Sequence, residues 1–145
     1  MKAYRSRLSG PLLDRIDIHI SIAPVAYEQL SQEYSLAEGE RETSETMRQR
    51  VEAVRRLQLE RYKNEGITCN SQLSPSQINK YCALDKASQS LLKEAVRKLS
   101  LSARSYQKVL RLARTIADME FAEKISSYHL AEAIQYRSMD RNGEV

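Results

Sequence analysis

Glycine is scarce in this sequence, standing only at positions 10, 39, 66 and 143 of 145 residues. A phosphate-cradling P-loop needs Gly-x-x-x-x-Gly-Lys-Ser/Thr, and those four positions cannot spell one. The chain also lacks an acidic pair at the end of its one strand-like stretch to hold Mg²⁺, since that stretch closes in Ser21-Ile22-Ala23-Pro24. By itself the chain is expected neither to bind ATP tightly nor to hydrolyse it. Cysteine is rarer still. Cys69 and Cys82 have no CxxC spacing and no neighbouring histidine, which argues against a zinc site or a disulfide framework and for a reducing cytoplasm. Both read as small buried hydrophobes. The two histidines, His19 and His129, fall on different elements, neither beside a nucleophile or a paired carboxylate, so no triad or acid/base dyad is assembled. His129 reads as a hydrogen-bonded packing residue. No apolar run approaches the ~20 residues that cross a bilayer, and Met1-Lys2-Ala3-Tyr4-Arg5-Ser6-Arg7 lacks the hydrophobic segment of a signal peptide. A soluble, intracellular protein with no membrane partner is expected.

What is present suits one domain, long enough to bury roughly two thirds of its unfolded surface. The net charge of +4 is compatible with nucleic acid or nucleotide as partner and specifies neither. The chain is organised around Ser9-Gly10-Pro11-Leu12-Leu13-Asp14-Arg15-Ile16-Asp17-Ile18-His19-Ile20. Ser-Gly-Pro is turn punctuation, and Ile16, Ile18, Ile20 and Ile22 then alternate at period two, which predicts a strand over 16–22. Arg15 heads that strand between Asp14 and Asp17, able to project from a sheet's end. No other stretch alternates, so the partner strands are expected in another chain or in sequence before Met1, and the chain reads as a C-terminal piece of a larger protein.

Pro24 and the polar stretch Gln32–Glu42 predict a connector, after which the pattern turns helical. Thr43 or Ser44 can cap a helix with Met47, Val51, Val54 and Gln58 on one stripe and Arg48, Arg50, Arg55, Arg56, Arg61 and Lys63 elsewhere. That basic face reads as solvated, or as meeting a neighbouring subunit or DNA phosphates. Ser74-Pro75-Ser76-Gln77 is a helix start leading to about Tyr81. Asp85 caps a longer helix with Ala87, Leu91, Leu92, Ala95 and Leu99 inward, broken at Ser100-Leu101-Ser102. The helix from Ser102 carries Tyr106, Val109, Leu110, Ala113, Ile116 and Ala117 on one face. Arg104 sits in its first turn, where the helix dipole favours an anion, while Arg111 and Arg114 read as salt-bridge or surface residues. Ser126 caps the last helix, with Leu130, Ala131, Ile134 and Tyr136 near its inner side.

Tyr4-Arg5-Ser6-Arg7-Leu8-Ser9-Gly10-Pro11-Leu12-Leu13-Asp14-Arg15-Ile16-Asp17 resembles the end of the AAA+ core in the magnesium-chelatase-related ATPases of the ComM (YifB) family. The likeness continues through Gln72-Leu73-Ser74, Lys80-Tyr81-Cys82-Ala83-Leu84-Asp85, Leu101-Ser102-Ala103-Arg104-Ser105-Tyr106, Arg114-Thr115-Ile116-Ala117-Asp118 and His129-Leu130-Ala131-Glu132-Ala133-Ile134-Gln135-Tyr136-Arg137. It implies a mainly α fold, a lid-type bundle of about four to five helices preceded by one β-strand left over from the AAA+ core. The implied organisation is the end of the core at 1–26, a linker at 27–42, a helical lid at 43–141 and a tail at 142–145. By the same resemblance Arg15 is the arginine finger, acting in trans, and Arg104 is the sensor-2 residue that touches the γ-phosphate. The composite site would use ATP and Mg²⁺ in a homo-hexameric ring, with DNA as an allowed further partner. No DNA-binding residue and no metal ligand is singled out, and the isolated chain is expected to be an inactive monomer.

Three function classes follow. The resemblance implies the lid of a ComM-like motor acting on DNA in uptake and recombination. The ATPase subunit of a true magnesium chelatase shares the same scheme. The third class is a helical interaction module without a nucleotide role. Cys82-Ala83-Leu84-Asp85 and the Arg114–Asp118 run favour the first over the second.

Overall fold

The computed structural model describes residues 10–20, 22, 24 and 42–137. Residues 1–9, Ser21, the expected linker short of Glu42, the last residues of the expected lid and the expected tail lie outside the described residues. Their helices are α1 (Gly10–Leu13), α2 (Ser44–Tyr62), α3 (Pro75–Tyr81), α4 (Lys86–Leu99), α5 (Ala103–Met119) and α6 (Ser127–Gln135), with a 3₁₀ turn at Asn70–Gln72. The expected mainly α bundle is what forms.

Each of α2 to α6 starts where the sequence places a cap. Thr43, Asp85 and Ser102 accept backbone N–H groups from Thr46, Ser88 and Ser105 through their side chains. Ser74 and Ser126 go further, forming reciprocal capping boxes with Gln77 and His129. Each such cap satisfies donors that the helix leaves unpaired and contributes about 1 kcal/mol. Termination is equally local. Ser100 takes a left-handed conformation with φ of 49° and Leu101 N–H reaches back to the Val96 carbonyl at 3.1 Å, which closes α4 and buries Leu101 against the core.

Helix α5 is the centre of the bundle. It packs against α2, the 3₁₀ turn, α3 and α6, and α4 closes over α6. Val109, Ala113 and Ala117 on α5 and Leu130 and Ala133 on α6 are wholly buried. Truncating Leu130 to alanine would therefore cost about 2–5 kcal/mol. The stripes read from sequence need three adjustments. Tyr106 is 40% exposed, Ala87 is exposed, and Met47 and Val51 are exposed because α2 enters the core only from Val54 onward, through Val54, Gln58 and Tyr62.

The strand expected over 16–22 does not form: among the described residues there is no strand, and the chain passes from α1 through a turn at Asp14–Arg15 into irregular backbone. Alternation fixes which side chains share a face, but a ladder also needs a second strand to accept its hydrogen bonds. Without one, Ile16, Ile18, Ile20 and Ile22 are all left exposed, Ile22 to 82%.

Candidate functional site

The neighbours of the two arginines singled out by sequence meet at one place. Asp14, next to Arg15, accepts a 2.7 Å hydrogen bond from the Ser105 hydroxyl, and Ser105 is the residue after Arg104. Arg137, with no exposed surface, donates to the same Ser105 oxygen at 2.7 Å and to the Ile16 carbonyl, and its guanidinium lies 3.8 Å from Asp14. Lys108, one turn along α5, pairs with Asp17 at 2.8 Å, and His19 N–H donates to the Tyr136 carbonyl at 2.9 Å. Residues 14–19 are thereby fastened along the start of α5 and the end of α6. The Ser105 hydroxyl holds Asp14 below the usual carboxylate range against the opposing pull of partial burial. Hydrogen bonding from Ser102 and the charges of Arg137 and Arg104 add to it. Arg15 and Arg104, flanking the two ends of the Asp14–Ser105 bond, are both exposed.

Arg61, Arg111, Arg114 and Arg137 are engaged within the fold, whereas Arg48, Arg55, Arg56 and Arg97 stay exposed like Arg104. Asp118, wholly buried on α5, accepts a two-pronged contact from Arg61 at 2.8 and 2.6 Å, a bond from Arg114 Nε at 3.0 Å, and amide bonds from Asn70 at 2.8 Å and Gln58 at 3.3 Å. Arg114 is salt-bridged as expected, but it is a core residue, 3% exposed, and also donates to the Ala122 and Glu123 carbonyls. Arg111 donates twice to the Leu73 carbonyl. Sequence reading missed both Asp118 as a hub and Arg137 as a clamp. The signal for the hub was Arg114 and Asp118 at i,i+4 inside an otherwise apolar stripe, where a charge must be paired to be buried.

His129 is the packing residue expected. Its Nδ1 accepts from Ser126 N–H at 3.0 Å, which leaves Nε2 to donate to Glu120 at 2.8 Å. The basic face of α2 is thinner than its sequence suggests, because Arg61 turns inward to Asp118, Lys63 pairs with Glu60 and Arg50 with Glu42. The cysteines differ. Burial pushes the Cys82 thiol up to about 11, whereas the hydroxyl of Ser71, 3.1 Å from its sulfur, and the nearby Arg55 pull the half-buried Cys69 thiol down. No helix among the described residues is long and apolar enough to cross a membrane.

The family model for the C-terminal region of magnesium chelatase subunit ChlI matches residues 41–137, and that for magnesium chelatase subunit ChlI matches residues 1–30. The chain is 41% identical over 138 residues to the uncharacterized protein YifB of Salmonella typhimurium, a match covering 95% of this chain and 26% of that protein. It is 38% identical over 139 residues to competence protein ComM of Haemophilus influenzae and 37% identical over 138 residues to the uncharacterized protein YifB of Escherichia coli, with the same coverage. The chain thus spans about a quarter of the length of the curated relatives it matches.

Proposed function

The chain belongs to the magnesium chelatase subunit ChlI C-terminal family, and from that premise we propose that it is the lid of a ComM-like AAA+ motor, supplying two arginines to an ATP site completed elsewhere. Arg15 is the arginine finger and Arg104 the sensor-2 residue. The observation that carries this reading is the Asp14–Ser105 bond, which sets the two side chains at the same joint and leaves both exposed while Arg61, Arg114 and Arg137 are engaged within the fold. An exposed guanidinium fits phosphate oxygens, because its planar fork stays charged and donates in pairs. Phosphoryl transfer develops charge on the transferred group, and a guanidinium inserted there is worth roughly 10³–10⁵ in rate. The described residues contain no cluster of three His, Cys, Asp or Glu side chains able to hold a metal ion. Phosphate is the group that the two exposed guanidinium side chains offer to bind in the ATP site.

A finger that projects from its own subunit acts on the next, so the working form is a ring, by family analogy a homo-hexamer in the cytoplasm. The relative named a competence protein favours DNA as the substrate of the motor over a porphyrin. In the ring-forming protein Arg15→Ala is expected to abolish turnover while retaining most ATP affinity. Mixing that variant with one disabled in the P-loop restores partial activity, since each subunit then supplies what the other lacks. Absence of rescue would remove the role in trans. Branched-DNA binding set against porphyrin-dependent activity separates the motor from a chelatase subunit.

A further inference from the structure

Resting on the reading of Arg15 as a finger, we infer that Asp14, Ser105 and Arg137 form a lock that positions Arg15 from the lid, so that Arg15 and Arg104 move as one body. Arg15 is gripped on both sides: Asp14 is held by Ser105, and the Ile16 carbonyl is held by Arg137. Ser105 is the shared element, since its oxygen accepts from Arg137 while its hydrogen goes to Asp14, and the residue is wholly buried. Two further ties, Asp17 to Lys108 and His19 to Tyr136, prevent the segment from pivoting about the first pair. All these partners lie on α5 or at the end of α6, which pack directly on each other. A tilt of α5 driven by the phosphate that Arg104 senses therefore carries Arg15 with it. The finger's geometry becomes a readout of the lid's position, and information about one nucleotide passes through this lock to whichever phosphate Arg15 approaches. Arg137 and Ser105 are positioning residues in this scheme and touch no substrate.

Two measurements on the full-length protein test it. The first is amide hydrogen exchange in Ser105→Ala, which removes the shared hydroxyl from both partners. Exchange over residues 14–20 should rise about tenfold or more, as expected for losing a charge-linked hydrogen bond, while α5 beyond its first turn and α6 keep their protection. The second is ATPase kinetics. Ser105→Ala and Asp14→Ala should lower kcat by about tenfold to hundredfold with little change in KM, the signature of a misplaced group and not of lost binding. Asp14→Asn keeps the acceptor for Ser105 and should recover most of that loss, a rescue that a merely electrostatic role for the carboxylate would not give. If kcat falls in Arg15→Ala but is unchanged in Ser105→Ala and Asp14→Ala, the finger stands and the lock is refuted. If Arg15→Ala itself turns over normally, the finger reading falls and the lock falls with it. Loss of protection throughout α5 and α6 in Ser105→Ala, without rescue by Asp14→Asn, makes the cluster a piece of core and overturns the inference.

Discussion

The molecule contains two arginine–carboxylate assemblies built from the same parts and put to different ends. Around Asp118 the carboxylate has no exposed surface and its partners Arg114 and Arg61 are 3% and 20% exposed. Around Asp14 the carboxylate side chain is 32% exposed even though its partner Arg137 is wholly buried. The first assembly joins α2, the 3₁₀ turn and α5 inside the bundle, and the second attaches an external segment to it. A sealed ion pair with every lone pair engaged cannot open without exposing a charge to the interior, so it fixes how helices meet. A half-open one contributes less to how the helices meet and fastens an outer segment to them instead.

The sharpest way to break this contrast is Asp118→Ala. It leaves the buried Arg114 and the partly buried Arg61 without their common acceptor, and removing one partner of a buried pair costs about 3–5 kcal/mol. Against the 5–15 kcal/mol typical of a whole domain that is severe, and a large fall in melting temperature is expected. Thiol labelling gives an independent check. In the intact fold iodoacetamide should modify Cys69, whose thiol is pulled down, and spare Cys82, buried with its thiol at about 11. In Asp118→Ala both should react. Should Asp118→Ala melt like the parent with Cys82 still protected, the assembly is not what holds the helices.

A smaller effect is expected at Asp14 and runs with pH. Its pKa is depressed in the fold, so its contribution to stability is present above the unfolded carboxylate value of about 3.9 and is lost as pH falls through the lower folded value. An NMR titration of the Asp14 carboxyl carbon should give a midpoint below the ordinary one, and Ser105→Ala, which removes the largest cause of the shift, should move the midpoint upward. A midpoint indifferent to Ser105 would mean that the bond does not hold Asp14. Loss of the joint is expected to leave most of the bundle's melting transition in place, because among its described residues the attached segment has only His19 buried.

What could be read from sequence was what a few adjacent residues decide. Ser74 with Gln77, Asp85, Ser102 and Ser126 begin helices because their side chains reach amides two or three residues on, and the structure keeps all four starts. The Asp118 hub joins residues 48 to 60 positions apart, and the Asp14 and Arg137 clamps span 91 and 121. Beyond the i,i+4 spacing of Arg114 and Asp118, nothing local announces such pairs. The alternating isoleucines at 16–22 show the converse, a local pattern for an element that needs a partner to exist: all four are exposed, and the residue buried there is His19. Tyr106 sat on the inward stripe by spacing, yet in the first turn of α5 it lines an open groove with Ile78 and Leu84 and stays 40% exposed. Arg15 and Arg104 came from a motif. The bond between their neighbours, Asp14 and Ser105, came only from the fold.

The smallest change in stability is expected where the functional change is expected to be large, at Arg104. Its side chain is exposed, in the first turn of α5, and outside both the Ser102 cap and the core. Two weak effects of opposite sign act there. A cation near a helix N-terminus opposes the helix dipole, and removing it favours the fold by a few tenths of a kcal/mol. The same charge helps hold Asp14 ionised, and removing it slackens the joint. The two nearly cancel, so Arg104→Ala should move stability by no more than about 0.5 kcal/mol, the range of ordinary surface substitutions. With Arg104 as the proposed sensor, the variant of the full-length protein should bind ATP less tightly relative to ADP, because a contact made only to the γ-phosphate would shift the equilibrium between states by its differential energy and by no more. The measurement is a pair of melting curves beside a pair of nucleotide titrations. Arg104→Ala that unfolds the bundle while surviving rings keep their ATP preference would place Arg104 with Arg114 and Arg137, among the residues that hold the fold.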